Sequence, residues 1–382
     1  MTAYLLVFVA AAATTFALTP AVRAVVIRLG WIVEPADRRV HRVPTPTMGG
    51  VAMYLGFLVA LGVSRFLPFF REVNAASPEP LAALVTCSLM VALGIVDDTR
   101  GVRALTKLTA QVFIGGILVL LGGILVYMWF PGGGKIGQVL VLANDQGAIL
   151  TIAWVVIVAN AVNLIDGLDG LAAGMVAIAA GGFFFYMVRS PSLFGDASQA
   201  ALLSAITAGI CIGFLPWNFH PAKIFMGDTG SMLLGMLLAM ATISGVGRNP
   251  YQPSGGDLAA VVGTIAVPLL VLAIPFLDVA MAVLRRTWRG QSVGHADKEH
   301  LHHRLMDAGH GHRKAVLLLY LWSALLSGAG LAVGLINGRL AVGAILIAAL
   351  VLFFVTALPA ISNKRVGNGG PSVRTDEHAA GR

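Results

Sequence analysis

About eleven stretches of roughly 20 apolar residues, cut by short polar loops, run between Met1 and Pro359 of this 382-residue chain. A helix needs about 20 such residues to cross the hydrocarbon of a bilayer. Only 12% of the residues are charged, against roughly 25% in a soluble domain. In lipid, only helices or closed barrels satisfy the backbone, and these runs are too long and too evenly apolar for barrel strands. The expected fold class is therefore all-α, a polytopic transmembrane bundle of about eleven helices. They are predicted at 3–23, 49–67, 80–96, 106–130, 148–165, 170–188, 199–216, 230–247, 258–284, 315–336 and 340–360. The helix at 106–130 carries Gly115, Gly116, Gly122 and Gly123, which allow it to bend or break. The first run lacks a basic start and reads as a spanning helix, not a cleaved signal peptide. Cys87 and Cys211 lie inside apolar runs and imply packing, not disulfides. Residues 1–361 form one membrane domain, and the polar, Gly-rich tail 362–382 is expected to be disordered.

These spans sort the loops into two sets. All but six of the 26 Lys and Arg fall on one side; the exceptions are Arg65, Arg71, Lys135, Arg189, Arg248 and Arg339. The positive-inside rule then puts the N-terminus outside and the C-terminus in the cytosol. All nine histidines fall on the same cytosolic side, although they were not used to set the orientation. The net charge of +8 thus reflects topology and does not call for a nucleic-acid partner.

Five aspartates sit at the cytosolic ends of apolar runs: Asp97, Asp98, Asp166, Asp169 and Asp228. Carboxylates at membrane depth are costly and usually functional. One alone reads equally well as a helix cap; five on one face do not. Adjacent Asp97 and Asp98 raise each other's pKa unless a cation offsets them, and a divalent metal, Arg100, Arg103 or Lys107 would serve. In Asn160-Ala-Val-Asn163-Leu-Ile-Asp166-Gly167-Leu-Asp169-Gly170, polar residues recur every third position. On an ideal helix such a stripe drifts about 60° per step, so its ends face apart unless Gly167 and Gly170 unwind the turn. The third cluster, Trp217-Asn218-Phe219-His220-Pro221-Ala-Lys223-Ile-Phe225-Met226-Gly227-Asp228-Thr229-Gly230-Ser231, combines an aspartate, a lysine and an aromatic. That combination suits a metal-bound diphosphate beside a stacking base. Asp and Asn oxygens fit Mg²⁺, which keeps water or phosphate for its other positions, and no Cys/His pattern favours zinc.

Two basic loops share this face. The loop at 285–314 holds His300-Leu301-His302-His303-Arg304, read as donors to phosphate and sugar oxygens, with zinc as the weaker alternative. His310 and His312 look less special. The loop at 23–48 holds His41-Arg42-Val43-Pro44-Thr45-Pro46, where basic residues on a stiff, proline-fixed path suit a lipid phosphate or simply anchor the topology. Phosphate-loop, dinucleotide and nucleophile-elbow motifs do not occur.

Taken in order, these motifs resemble the polyprenyl-phosphate N-acetylhexosamine-1-phosphate transferase family. The resemblance rests on His41–Pro46 with Gly49-Gly50, Asp97-Asp98 with Lys107, Asn163–Gly170, Phe225–Ser231 and His300–Arg304. It covers about residues 1–360. Leu301 interrupts a histidine run that is continuous in the phospho-MurNAc-pentapeptide branch, so the closer likeness is to the branch that uses UDP-GlcNAc.

The resemblance implies eleven helices and transfer of GlcNAc-1-phosphate from UDP-GlcNAc to a polyprenyl phosphate, with release of UMP. The product would open synthesis of a cell-envelope polysaccharide. It implies Mg²⁺, or Mn²⁺ in its place, on Asp228 with Asn163 as a second ligand. Asp97 and Asp98 would deprotonate or orient the lipid phosphate, and Lys107 would hold it, with His41 nearby. Asp169 and Phe225 would contact the uracil, and Asn218 would lie near the nucleotide. His300, His302, His303 and Arg304 would bind the diphosphate and sugar, while Asp166 belongs to the site with no assigned task. The expected partners are UDP-GlcNAc, a polyprenyl phosphate and the bilayer, with a homodimer left open. A transporter is the competing class, but transporter sites lie near the midplane. Here the helix middles are almost free of charge, with Asp278 the main exception, and the candidate chemistry crowds one face.

Overall fold

A computed structural model describes residues 1–33, 44–130, 138–189, 198–245, 311–335, 347 and 349–351. The expected helices at 258–284 and most of 340–360, most of the loop at 285–314, and the tail lie outside the described residues. So do His41, His300, His302, His303 and Arg304.

The apolar runs form helices α1 (Thr2–Arg28), α2 (Gly50–Phe66), α3 (Arg71–Ala76), α4 (Glu79–Arg100), α5 (Ala104–Leu120), α6 (Asn144–Ile165), α7 (Leu171–Arg189), α8 (Gln199–Asn218), α9 (Gly227–Gly245) and α10 (His312–Leu335). Among the described residues, α1, α4, α6, α7 and α8 are long and apolar enough to cross a membrane, and α2 and α5 are shorter apolar helices. Two antiparallel ribbons add β1 (Ile32–Val33) with β2 (Thr45–Pro46), and β3 (Tyr127–Phe130) with β4 (Gln138–Val141).

One expectation needs correction. The helix read across 106–130 ends at Leu120. Gly122 takes φ +85°; its N–H bonds the Val119 carbonyl at 2.9 Å, and that of Gly123 bonds Leu118 at 2.9 Å. This paired closure is the usual glycine stop for a helix. The apolar segment beyond it, rich in aromatic residues, pairs as strand instead.

Helix α9 is the centre of the bundle. Every residue from Thr229 to Ile243 is buried, and α9 packs on α2, α4, α6 and α8. A helix apolar on all sides belongs inside the protein, whereas Phe113, Leu120 and Leu5 on outer helices keep exposed faces that suit lipid. Small residues let the backbones approach. A Cβ on Gly50 would overlap the backbone of Gly230, and one on Gly94 would overlap that of Thr229. Both contacts lie beside Asp228, so packing and site share the same atoms. Gly94→Val is expected to destabilise the chain by about 1–3 kcal/mol, as overpacking does, and to lower activity in the folded fraction. Thermal melting in detergent checks this, and an unchanged midpoint would contradict the packing argument.

Candidate active site

The site is assembled from helix ends. Asp97 and Asp98 lie in the last turn of α4, Lys107 in the first turn of α5, Asn163 in the last turn of α6, and Asp228 in the first turn of α9. The elements between them bring these ends together at one end of the bundle, as their contacts show.

Lys107 is the hub. Its Nζ forms an ion pair with Asp97 Oδ2 at 2.8 Å and a second with Asp228 Oδ2. Asn163 Nδ2 donates to Asp228 Oδ1 at 2.8 Å and to Ser231 Oγ at 2.9 Å. One cation and one amide therefore hold both oxygens of Asp228. Asp97 is fixed at its other oxygen, which accepts from the Val102 N–H at 2.7 Å.

Asp98 plays a different part. It accepts from the backbone N–H groups of Asp228 at 2.9 Å and Thr229 at 3.0 Å, and from the Thr229 hydroxyl at 2.6 Å. These are donors that a helix start leaves unsatisfied, and a carboxylate there also meets the positive end of the helix dipole. Gly227 makes room for this contact. It has φ +69°, and a Cβ there would come within 2.5 Å of Asp98 Oδ2 and 2.7 Å of Thr47 Oγ1. The adjacent pair thus divides, with Asp97 turned to Lys107 and Asp98 turned to α9.

The polar stripe behaves as its drift requires. Helix α6 stops at Ile165, Asp166 has φ −75° and ψ 39°, and Gly170 takes φ +78°. Asn160 and Asn163 stay on the helix, while Asp169 turns to a different neighbour. Burial first, and then the negative charges of Asp228, Asp98 and Asp169, push the Asp166 carboxyl well above the ordinary carboxylate range. Asp97 and Asp228 share Lys107 as their cation, while Asp98 and Asp166 add carboxylates beside Asp228 with no cation of their own among the described residues. That surplus of hard oxygen donors is what a divalent cation such as Mg²⁺ balances, so the residues present fit the metal. In the arrangement observed, Asn163 meets Asp228 through its amide N–H and so orients that carboxylate.

A second network adjoins the first. Asp169 Oδ2 accepts from His220 Nδ1 at 2.7 Å and from the Ala222 N–H at 3.1 Å. Asn218 accepts from the Gly170 N–H at 3.1 Å and donates to the Ile224 carbonyl at 3.0 Å. The Tyr320 hydroxyl of α10 donates to the Gly170 carbonyl, and Arg313 Nε donates to the His220 carbonyl at 3.1 Å. The turn at 166–170, the segment at 217–226 and the start of α10 are thereby knitted together. Asp169, His220 and His312 bring ligand-type atoms within 4.8 Å of one another. The two imidazoles, however, stack at 4.1 Å and 20° from parallel. Imidazole binds metals through an in-plane lone pair, and stacked rings do not converge theirs on one point. An open cleft of ≈ 430 Å³ borders this network, lined by His220, Pro221, Gly311, His312, Arg313 and Lys314. Phe225 joins the site through its backbone: its N–H donates to Pro46 at 2.8 Å, and its carbonyl accepts from Gly49 at 2.8 Å. This brings Pro46–Gly50 alongside Phe225–Asp228.

Against known proteins, this chain is 40% identical to the decaprenyl-phosphate N-acetylglucosaminephosphotransferase of Mycobacterium tuberculosis (strain ATCC 25618 / H37Rv) over 323 residues, 83% of this chain and 79% of the relative. The model of glycosyl transferase family 4 matches residues 80–246. The chain belongs to glycosyl transferase family 4. That match runs from α4 to α9 and spans every helix end that builds the carboxylate site. A probable undecaprenyl-phosphate N-acetylglucosaminyl 1-phosphate transferase of Bacillus subtilis (strain 168) is 32% identical over 314 residues, 82% of this chain and 80% of the relative. A phospho-N-acetylmuramoyl-pentapeptide-transferase of Desulforudis audaxviator (strain MP104C) is 36% identical over 224 residues, but these cover only 54% of this family 4 chain and 64% of the relative.

Proposed function

We propose that this chain transfers GlcNAc-1-phosphate from UDP-GlcNAc to a polyprenyl phosphate, undecaprenyl or decaprenyl, at the cytosolic face of a bacterial cell membrane. The observation that carries this reading is the convergence of Asp97, Lys107, Asn163 and Asp228 from four helix ends. It is supported by relatives whose names specify that transfer and which match this chain over about four fifths of its length. The pentapeptide-transferase relative matches a much smaller share, and Leu301 breaks the histidine run, so GlcNAc is the better reading of the sugar.

An acceptor phosphate oxygen attacks the β-phosphorus of UDP-GlcNAc. The bond from that phosphorus to the bridging oxygen breaks, and UMP leaves with the bridging oxygen. The products are polyprenyl-diphospho-GlcNAc and UMP. Positioning and charge neutralisation supply most of the catalysis in phosphoryl transfer. Asp228 would hold Mg²⁺, which would supply positive charge to offset the negative charge that develops in the transfer. Asn163 holds Asp228 in orientation for that duty. Lys107 supplies a cation for the acceptor phosphate, and Asp97 holds Lys107 in place. Asp98 acts on the α9 start and not on substrate. Asp169 is engaged by His220 and shapes the turn on the nucleotide side, where Asn218 and Phe225 also lie. His41, His300, His302, His303 and Arg304 keep the phosphate and sugar roles that the resemblance implies.

The test uses membranes containing the chain, with UDP-GlcNAc, polyprenyl phosphate and Mg²⁺. UMP should appear only when both substrates are present and should stop on chelation. Transmembrane flux of a solute without UMP release would point to a transporter instead.

A further inference from the structure

A polar pair, Gln111 fully buried and Asn160 half-buried, lies one turn beneath the carboxylate site. Gln111 is fully buried in α5, four residues after Lys107 and therefore one turn deeper on the same helix face. Asn160 lies three residues before Asn163, one turn deeper on α6. Asn160 Nδ2 donates to Gln111 Oε1 at 2.6 Å and to the Val156 carbonyl at 2.7 Å. Gln111 Nε2 lies 4.0 Å from the sulfur of Met232, four residues after Asp228 on α9. The three helices that supply Lys107, Asn163 and Asp228 thus meet again one turn below, through Gln111, Asn160 and Met232.

We infer that Gln111 and Asn160 are a positioning pair that fixes the spacing of α5 and α6, and so places Lys107 and Asn163 on the two oxygens of Asp228. The inference rests on the transferase reading above. A side-chain amide inside an apolar helix is costly unless partnered, and these two partner each other across the joint that the site depends on. An apolar pair would pack the same helices but would leave their register free to slide. The hydrogen bond sets one register, as buried polar contacts do in coiled coils. Neither side chain needs to touch substrate.

The experiment compares Gln111→Met, Asn160→Leu and the swapped double variant Gln111→Asn with Asn160→Gln. Each single variant removes the bond while keeping side-chain bulk, and the swap restores it with the same total length. In the UMP-release assay, kcat of each single variant should fall by about tenfold to a hundredfold, the scale of a small misplacement. KM for UDP-GlcNAc should change little, and the swap should recover most of the lost kcat. Melting in detergent separates this from a purely structural role, which would lower the midpoint and leave kcat of the folded enzyme intact. Singles with wild-type kcat overturn the inference. If the singles fail to accumulate, the swap decides: near wild-type kcat supports the pair, and a folded but inactive swap contradicts it. Failure of the transferase reading would show separately, as a wild-type chain that releases no UMP.

Discussion

Asp228→Ala should abolish UMP release while leaving the protein in the membrane. Asp228 has its two oxygens held by groups from two other helices, Lys107 and Asn163. Its removal leaves Lys107 paired with Asp97 alone and Asn163 with Ser231 alone, so the site loses its focus. Loss of a single preorganised electrostatic contact commonly costs about a hundredfold to a thousandfold in rate. On the proposed reading the same change also removes the residue that would hold Mg²⁺, so a loss of about a thousandfold or more is expected. The fold should survive, because Asp98 still holds the start of α9 through backbone groups that the substitution does not touch. The check is UMP release per membrane-inserted protein, with the melting midpoint measured on the same sample. Full activity in the variant would remove Asp228 from the site.

Asp97 and Asp98 should fail in different ways when each is changed to asparagine. Asp97→Asn keeps an oxygen for the Val102 N–H but loses the charge that faces Lys107. Activity should fall by about a hundredfold, with little change in melting. Asp98→Asn places an amide among three donors, the N–H groups of Asp228 and Thr229 and the Thr229 hydroxyl. Losing hydrogen bonds to a charged acceptor costs about 1.5–3 kcal/mol each, although neighbouring bonds do not add fully. The melting midpoint should therefore drop clearly, together with activity, because Asp228 rides on the loosened helix start. Equal melting of the two variants would contradict the division of labour drawn from the geometry.

How much of this was legible in the sequence depends on which force decides each position. Transmembrane helices follow from apolar run length, and most of the described elements lie where the runs put them. The run at 106–130 misled because apolarity does not distinguish helix from strand. The stop at Gly122 was visible only as a candidate, and the pairing of Tyr127–Phe130 with Gln138–Val141 needed the partner strand. The drift of the polar stripe did carry through: α6 ends where the glycines allow, and Asn160, Asn163 and Asp169 reach three different partners. The split between Asp97 and Asp98 was not legible, because adjacent residues on one helix differ only in what lies opposite them. His312 looked ordinary, and its stacking on His220 arises from a contact between distant segments. Gln111 was overlooked, yet a lone amide in an apolar helix is a signal that could have marked it.

The most direct measurement is UMP release from one membrane preparation supplied in parallel with UDP-GlcNAc or UDP-MurNAc-pentapeptide, each with polyprenyl phosphate and Mg²⁺. Release with UDP-GlcNAc alone, accompanied by a polyprenyl-diphospho-GlcNAc product, is the expected result. Release only with the pentapeptide donor would contradict the sugar assignment, and release with neither would contradict the transferase reading itself.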